Sequence, residues 1–141
     1  MPTPLCPLMD KYGSDKGPRV NNSTHHTYTE VYHQMFKDIR DNPMNIFEVG
    51  IGTTNLGILS HMGAKGSPGA SLRAWQDYFP NSMVYGADIN KGCLINEDRI
   101  KTTYCDQLDP QVIRAMWEAL PTMDIIGVFY LVVREDRVWS P

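Results

Sequence analysis

The chain has little of what would settle its class at a glance. Its 141 residues include only three cysteines, at positions 6, 93 and 105. That odd number without metal-ligand spacing argues against a disulfide framework and for reduced thiols in a cytoplasmic protein. There is no excess of positive charge: 13 Lys and Arg stand against 16 Asp and Glu, for a net of −3. No basic field therefore invites nucleic acid. No apolar run is long enough to span a bilayer, and the Met-Pro-Thr-Pro start lacks the basic region and apolar stretch of an export signal. A Gly-x-x-x-x-Gly-Lys-Ser/Thr phosphate loop is missing, which disfavours nucleoside triphosphates. What remains is one small-molecule-binding domain, long enough to bury a core.

Against these absences stands the run Ile46-Phe47-Glu48-Val49-Gly50-Ile51-Gly52-Thr53-Thr54. It reads as an apolar strand ending in an acidic residue and entering a Gly-x-Gly turn, where a nucleotide-like cofactor can lie against bare backbone. A dinucleotide fingerprint needs a third glycine at position 55, which is Asn55 here, so a nicotinamide cofactor is disfavoured. A second apolar stretch, Met83-Val84-Tyr85-Gly86-Ala87, ends in Asp88, whose carboxylate can accept both hydrogen bonds of a ribose diol. A third, Lys101-Thr102-Thr103-Tyr104-Cys105, ends in Asp106-Gln107. Three strands that each finish in polar residues point to one ligand along one sheet edge.

Helical patterns separate these strands. Tyr28, Val31, Tyr32, Met35, Phe36 and Ile39 recur at helical spacing, and Thr27-x-x-Glu30 reads as a capping box. A second helix is expected over 67–79, with Ser67 as cap and Leu72, Trp75 and Phe79 on one face. A third is expected over 109–120, where Asp109 caps, Pro110 starts and Pro121 prevents continuation. The alternation predicts a Rossmann-like parallel sheet with flanking helices. Residues 1–42 read as an irregular segment followed by a cap helix, and 43–141 as a partial Rossmann-like domain, with the break at Asn42-Pro43.

The run 47–53 resembles the class I methyltransferases that use S-adenosylmethionine. Lys11-Tyr12-Gly13-Ser14-Asp15-Lys16, His26-x-Tyr28, Gly69-Ala70-Ser71-Leu72-Arg73-x-Trp75-x-x-Tyr78-Phe79-Pro80, Tyr85-Gly86-x-Asp88-Ile89 and Asp106-Gln107-x-Asp109-Pro110 narrow the likeness. Together they are similar to the sugar O-methyltransferases of macrolide and related natural-product pathways. The resemblance implies that Glu48, Gly50 and Gly52 face the methionine part of the cofactor, Asp88 the ribose and Asp106 the adenine amino group. Thr53 and Gln107 join that cofactor set. Tyr12, Ser14, Asp15, Lys16, His26 and Tyr28 would form a cap on the substrate side.

The family also implies Mg2+, held after the fourth strand by aspartates, with a catalytic histidine close behind. Here Gly127-Val128-Phe129-Tyr130-Leu131 follow Asp124-Ile125-Ile126, and none of them ligates a divalent cation or takes a proton at neutral pH. Loss of a positioned base costs roughly 10²–10⁴-fold. The expectation is a shortened or altered member of the family, with only the first half of a seven-stranded fold. Two other readings stand beside it: a non-catalytic cofactor-binding module, and a different nucleotide-binding α/β protein. Of the remaining candidates, His33 reads as surface, His25 and His61 as loop histidines, and Trp75 and Trp117 as core.

An apolar fourth strand at the rim of a half-sheet should pair with another copy. Light scattering is expected to show self-association at high concentration; a monodisperse monomer would count against it.

Overall fold

The computed structural model describes residues 3–14, 28–52 and 67–127. Within them run α1 (Leu5–Tyr12), α2 (Tyr28–Phe36), β1 (Asn45–Val49), α3 (Ala70–Tyr78), β2 (Met83–Asp88), β3 (Asn96–Glu97), β4 (Ile100–Tyr104), α4 (Pro110–Ala119) and β5 (Ile125–Gly127), with a 3₁₀ turn at Lys91–Cys93. The strands form one sheet in the order β3-β4-β2-β1-β5. β1, β2, β4 and β5 are parallel; β3 is a short antiparallel edge that the sequence pattern did not announce.

Alternation along the strands sends side chains to two cores. Ile46, Val84 and Ile100 meet Leu72, Trp75, Tyr78 and Phe79 of α3 and its exit, together with Leu5, Met9 and Phe36 of α1 and α2. Phe47, Val49 and Ala87 point to the other face and meet Ile113 and Met116 of α4. The sheet is therefore covered on both sides, as a parallel sheet requires. α3 approaches very closely: a Cβ on Gly86 would lie 2.9 Å from Leu72 Cδ1 and 3.3 Å from Ile51 Cγ1.

Several local expectations are corrected. Residues 5–12, expected to be irregular, form α1, whose Leu5, Cys6 and Met9 are buried. Their spacing at i, i+1 and i+4 carries that face, and the flanking Pro and Gly residues obscured it. The cap helix ends at Phe36 and turns through 37–40; Phe36 is buried, whereas Val31 and Met35 of the same apolar pattern are 56% and 62% exposed. Ser67 does not cap α3. Gly69 occupies the N-cap position at φ +81°, without a side-chain cap. For α4 the expected cap holds: Asp109 accepts from the amides of Gln111 and Val112. His33 is not a solvated histidine, since its Nδ1 lies 2.6 Å from the Tyr78 hydroxyl. Among the described residues no helix is long and apolar enough to cross a membrane.

The carboxyl end of α3 is closed from outside the helix. α3 has no basic residue in its last turn, yet its terminal carbonyls need donors. Arg99 supplies them, donating to the carbonyls of Phe79 at 3.0 Å, Ser82 at 2.8 Å and Gln76 at 2.8 Å. Arg40 donates to the Tyr78 carbonyl at 3.1 Å and lies over the Tyr78 ring at 4.1 Å. Arg99→Ala is expected to lower stability by about 2–3 kcal/mol in urea unfolding, because three carbonyls lose a charged donor. Arg99→Lys should recover only part, since an ammonium does not reproduce the planar fork.

Candidate functional site

β1 lies between β2 on one side and β5 on the other, and the connections leaving β1 and β4 pass to opposite faces of the sheet. In open α/β sheets such a change of direction marks the carboxyl ends of the strands as the place where ligands bind. The strand exits are tied together there. The Gly50 amide donates to the Ala87 carbonyl at 2.8 Å, and the Cys105 amide to the Asp88 carbonyl at 2.9 Å. Gly50, Asp88 and Asp106 are thus brought to one edge by backbone pairing.

Gly50 and Gly52 have φ of +85° and +96°, a region that side chains with a Cβ resist. A Cβ built on Gly50 would meet nothing within 4 Å. Among the described residues, the backbone at Gly50 is thus exposed. Asp88 holds this turn in place: its Oδ2 accepts from the Ile51 amide at 2.9 Å and its Oδ1 from the Asn90 amide at 2.9 Å. A carboxylate offers about four lone-pair sites, so these two amide bonds, with the Cys93 thiol also against the carboxylate, leave acceptor capacity at a half-buried position.

Asp106 stands in the turn into α4, where its Oδ1 accepts from the Leu108 amide at 2.9 Å. Gln107 is half-buried in the same turn. Ile89, Tyr104 and Leu108, exposed apolar residues, flank the two aspartates, and Lys91 Nζ lies 4.9 Å from the Tyr104 ring centroid. Sequence reading passed over this trio. Its signal was the placing of apolar residues close to strand-end acids: Ile89 follows Asp88, and Tyr104 and Leu108 stand two residues to either side of Asp106.

Glu48 is placed differently from the rest. It is fully buried, with Oε1 accepting from Ser71 Oγ at 2.5 Å and Oε2 from Trp75 Nε1 at 2.5 Å. Its carboxylate therefore lies under α3 and not along the open edge. Tyr12 donates its hydroxyl to Asp77 Oδ2 at 2.6 Å, in the half of α3 remote from the turn, and Lys11 pairs with Asp77 at 3.7 Å. Ser14 is buried just past α1, and Tyr28 opens α2. Thr53, Asp15, Lys16 and His26 lie outside the described residues, as do His25 and His61. Among the described residues no group of three or more His, Cys, Asp or Glu side chains is placed to hold a metal ion.

Two thiols sit beneath this edge. Burial, reinforced by Asp88, pushes Cys93 up to about 12; burial, reinforced by Asp106 and Asp109, pushes Cys105 up to about 11. Both are free cysteines, and both stay protonated at neutral pH, poor nucleophiles beside the site.

No protein-family model matches the chain. It is similar to the 8-demethyl-8-alpha-L-rhamnosyl tetracenomycin-C 2'-O-methyltransferase of Streptomyces olivaceus, 34% identical over 122 residues, which are 86% of this chain and 29% of the relative. It is similar to the mycinamicin VI 2''-O-methyltransferase of Micromonospora griseorubida, 30% identical over 103 residues, 72% of this chain and 23% of the relative. The chain thus spans under a third of the length of the curated relatives it matches. In structure it resembles the MycE methyltransferase of the mycinamycin pathway in complex with Mg, S-adenosylhomocysteine (SAH) and mycinamycin VI. That likeness has a TM-score of 0.69 at 27% identity, over 88% of this chain and 30% of that one.

The raised thiols fix a pH dependence. A group that binds its proton more tightly when folded stabilises the fold fully below its ordinary value, here 9.0, and loses that contribution as pH climbs toward the folded value. Stability is expected to fall between about pH 9 and 12, and to fall less steeply in a Cys93→Ala/Cys105→Ala variant. Parallel curves from calorimetric melting across that range would overturn the assignment.

Proposed function

We propose, from the premise that this chain is homologous to part of the natural-product sugar O-methyltransferases, that its carboxyl sheet edge holds S-adenosylmethionine for methyl transfer to a small-molecule hydroxyl. The observation that carries this is Asp88: a strand-end carboxylate fixed by two backbone amides, adjoining an open glycine turn, with acceptor capacity left for a diol. Fit to the cofactor follows from the same groups. Asp88 would accept from the ribose hydroxyls. Asp106 and Gln107 would meet the polar edge of adenine, and Ile89, Tyr104 and Leu108 would cover its apolar faces. The backbone of Gly50 and Gly52 would lie against the methionine part, with Thr53 following.

When bound, S-adenosylmethionine supplies an electrophilic methyl group on a sulfonium sulfur. The chain's own part is to bind and orient it, with dispersion contacts from the apolar trio and directional hydrogen bonds from the two aspartates. The described residues do not fit a Mg2+ site, and no step is assigned to a metal or to a residue acting as base. Tyr12, Ser14, Asp15, Lys16, His26 and Tyr28 are proposed as the acceptor-side cap on the strength of the family pattern alone. A sugar hydroxyl is the acceptor class that pattern favours, and the reduced, protonated cysteines suit a cytoplasmic setting.

Calorimetric titration with SAH tests the reading. Binding to the purified chain is expected, with affinity about tenfold lower in Asp88→Asn, whose amide keeps the shape but replaces one acceptor oxygen with a donor. A folded chain that fails to bind, or an Asp88→Asn variant that binds equally well, would overturn it.

A further inference from the structure

Glu48 sits in a slot that the sheet leaves for it. On β1 it is in register with Gly86 of β2 and Gly127 of β5, so neither lateral neighbour has a side chain on that face. α3 comes down into this gap, where Leu72 packs against the bare Gly86 position. From the helix, Ser71 and Trp75 stand at i and i+4, on one face. Each donates to a different oxygen of the Glu48 carboxylate, both at 2.5 Å. Trp75, itself fully buried, also meets Tyr32 at 5.6 Å and Phe36 at 6.2 Å, so the clip reaches α2 as well.

We infer that Glu48 is a positioning residue for the cofactor turn, acting through α3 and not by touching the cofactor. The path is short. Ser71 is in the first turn of α3, and two residues before it the Gly69 amide donates to the Ile51 carbonyl at 3.1 Å. Ile51 is the centre of the Gly50-Ile51-Gly52 turn, and its own amide is the one that Asp88 accepts. The helix start, the turn and the ribose-side carboxylate thus form one chain of hydrogen bonds, anchored at the buried end by Glu48. A charge fixed by two donors suits this task, because charge-assisted hydrogen bonds are short and directional where apolar packing is not. Chemical shape makes Glu specific here. A glutamine at 48 keeps one acceptor but offers an NH2 where either Ser71 or Trp75 requires an oxygen, and an aspartate is one methylene too short for both.

The consequence for binding rests on the cofactor reading above; the clamp itself does not, and the test separates them. Hydrogen exchange at the Ile51 amide is measured by NMR in the ligand-free chain for wild type, Glu48→Gln, Trp75→Phe and the double variant. Exchange at the core amides of β4 and thermal melting serve as controls for global stability. SAH affinity is then measured on the same four proteins, at a temperature where all are folded. The expected result is Ile51 exchange about tenfold faster in each single variant, relative to the β4 amides, with a similar loss of SAH affinity. The double variant should be no worse than the weaker single one, since one contact has been broken twice. If Ile51 exchange follows the β4 amides in both variants, the carboxylate is an ordinary core contact and the inference fails. It fails equally if Glu48→Gln weakens binding while Ile51 exchange and Trp75→Phe leave no mark, since Glu48 would then touch the cofactor directly. Absence of SAH binding by wild type would defeat the cofactor reading alone, and the exchange measurements would still decide the clamp.

Discussion

A carboxylate at zero exposure is the constraint around which this sheet is arranged. Burying an isolated Glu in an apolar core costs far more than a domain of this size can sustain, so donors must reach it. Ser71 and Trp75 reach Glu48 because the positions beside it are glycine, and because α3 lies low on the sheet at that point. Those glycines, the close approach of Leu72 and the aromatic cluster around Trp75 are therefore consequences of one requirement. The apolar residues supply most of the driving force for packing α3. The carboxylate supplies its register, which packing alone leaves free to slide by a rotamer.

At the open edge the balance is reversed. Asp88 is half-buried and bound to two backbone amides, so its charge is compensated and held in place, the property the cofactor proposal draws on. Rigid backbone amides fix the carboxylate before any ligand arrives, which lowers the ordering cost of binding. The same strand-end geometry puts apolar Ile89, Tyr104 and Leu108 in water, an arrangement unfavourable for a bare fold and suitable for a planar, half-polar ligand. Two acids on one sheet thus stand in opposite settings: Glu48 is buried under α3, and Asp88 is half-buried at the carboxyl edge.

Much of this was legible in the residues. The three strands, of which the third is expected over 101–105 and runs over Ile100–Tyr104, the Asp109 cap of α4 and the sheet edge where Gly50, Asp88 and Asp106 gather all follow from period, turn chemistry and the acid at each strand exit. The placement of Glu48 was not legible, because an acid before Gly-x-Gly reads the same whether it points to a ligand or to a helix. Only the in-register glycines Gly86 and Gly127, distant in sequence, distinguish the two. α1 was hidden for another reason: eight residues between Pro and Gly give too short a period to stand out, and its apolar face has meaning only once α3 is there to receive it. The cap of α3 falls at Gly69 and not at the expected Ser67, which contributes its backbone carbonyl, accepting from the Ala70 amide, in place of a side-chain cap.

The amino-terminal helices also bear on how the chain divides. The Asn42-Pro43 break looks like a seam, yet Leu5, Met9 and Phe36 share one core with Trp75, Tyr78 and Phe79. A fragment cut at that seam would expose the aromatic side of α3 to water and leave the His33 contact to Tyr78 behind. In dissection, then, the unit that folds is larger than the sheet and its own helices: the helix packed on the strand ends is itself roofed by residues far upstream of the sheet.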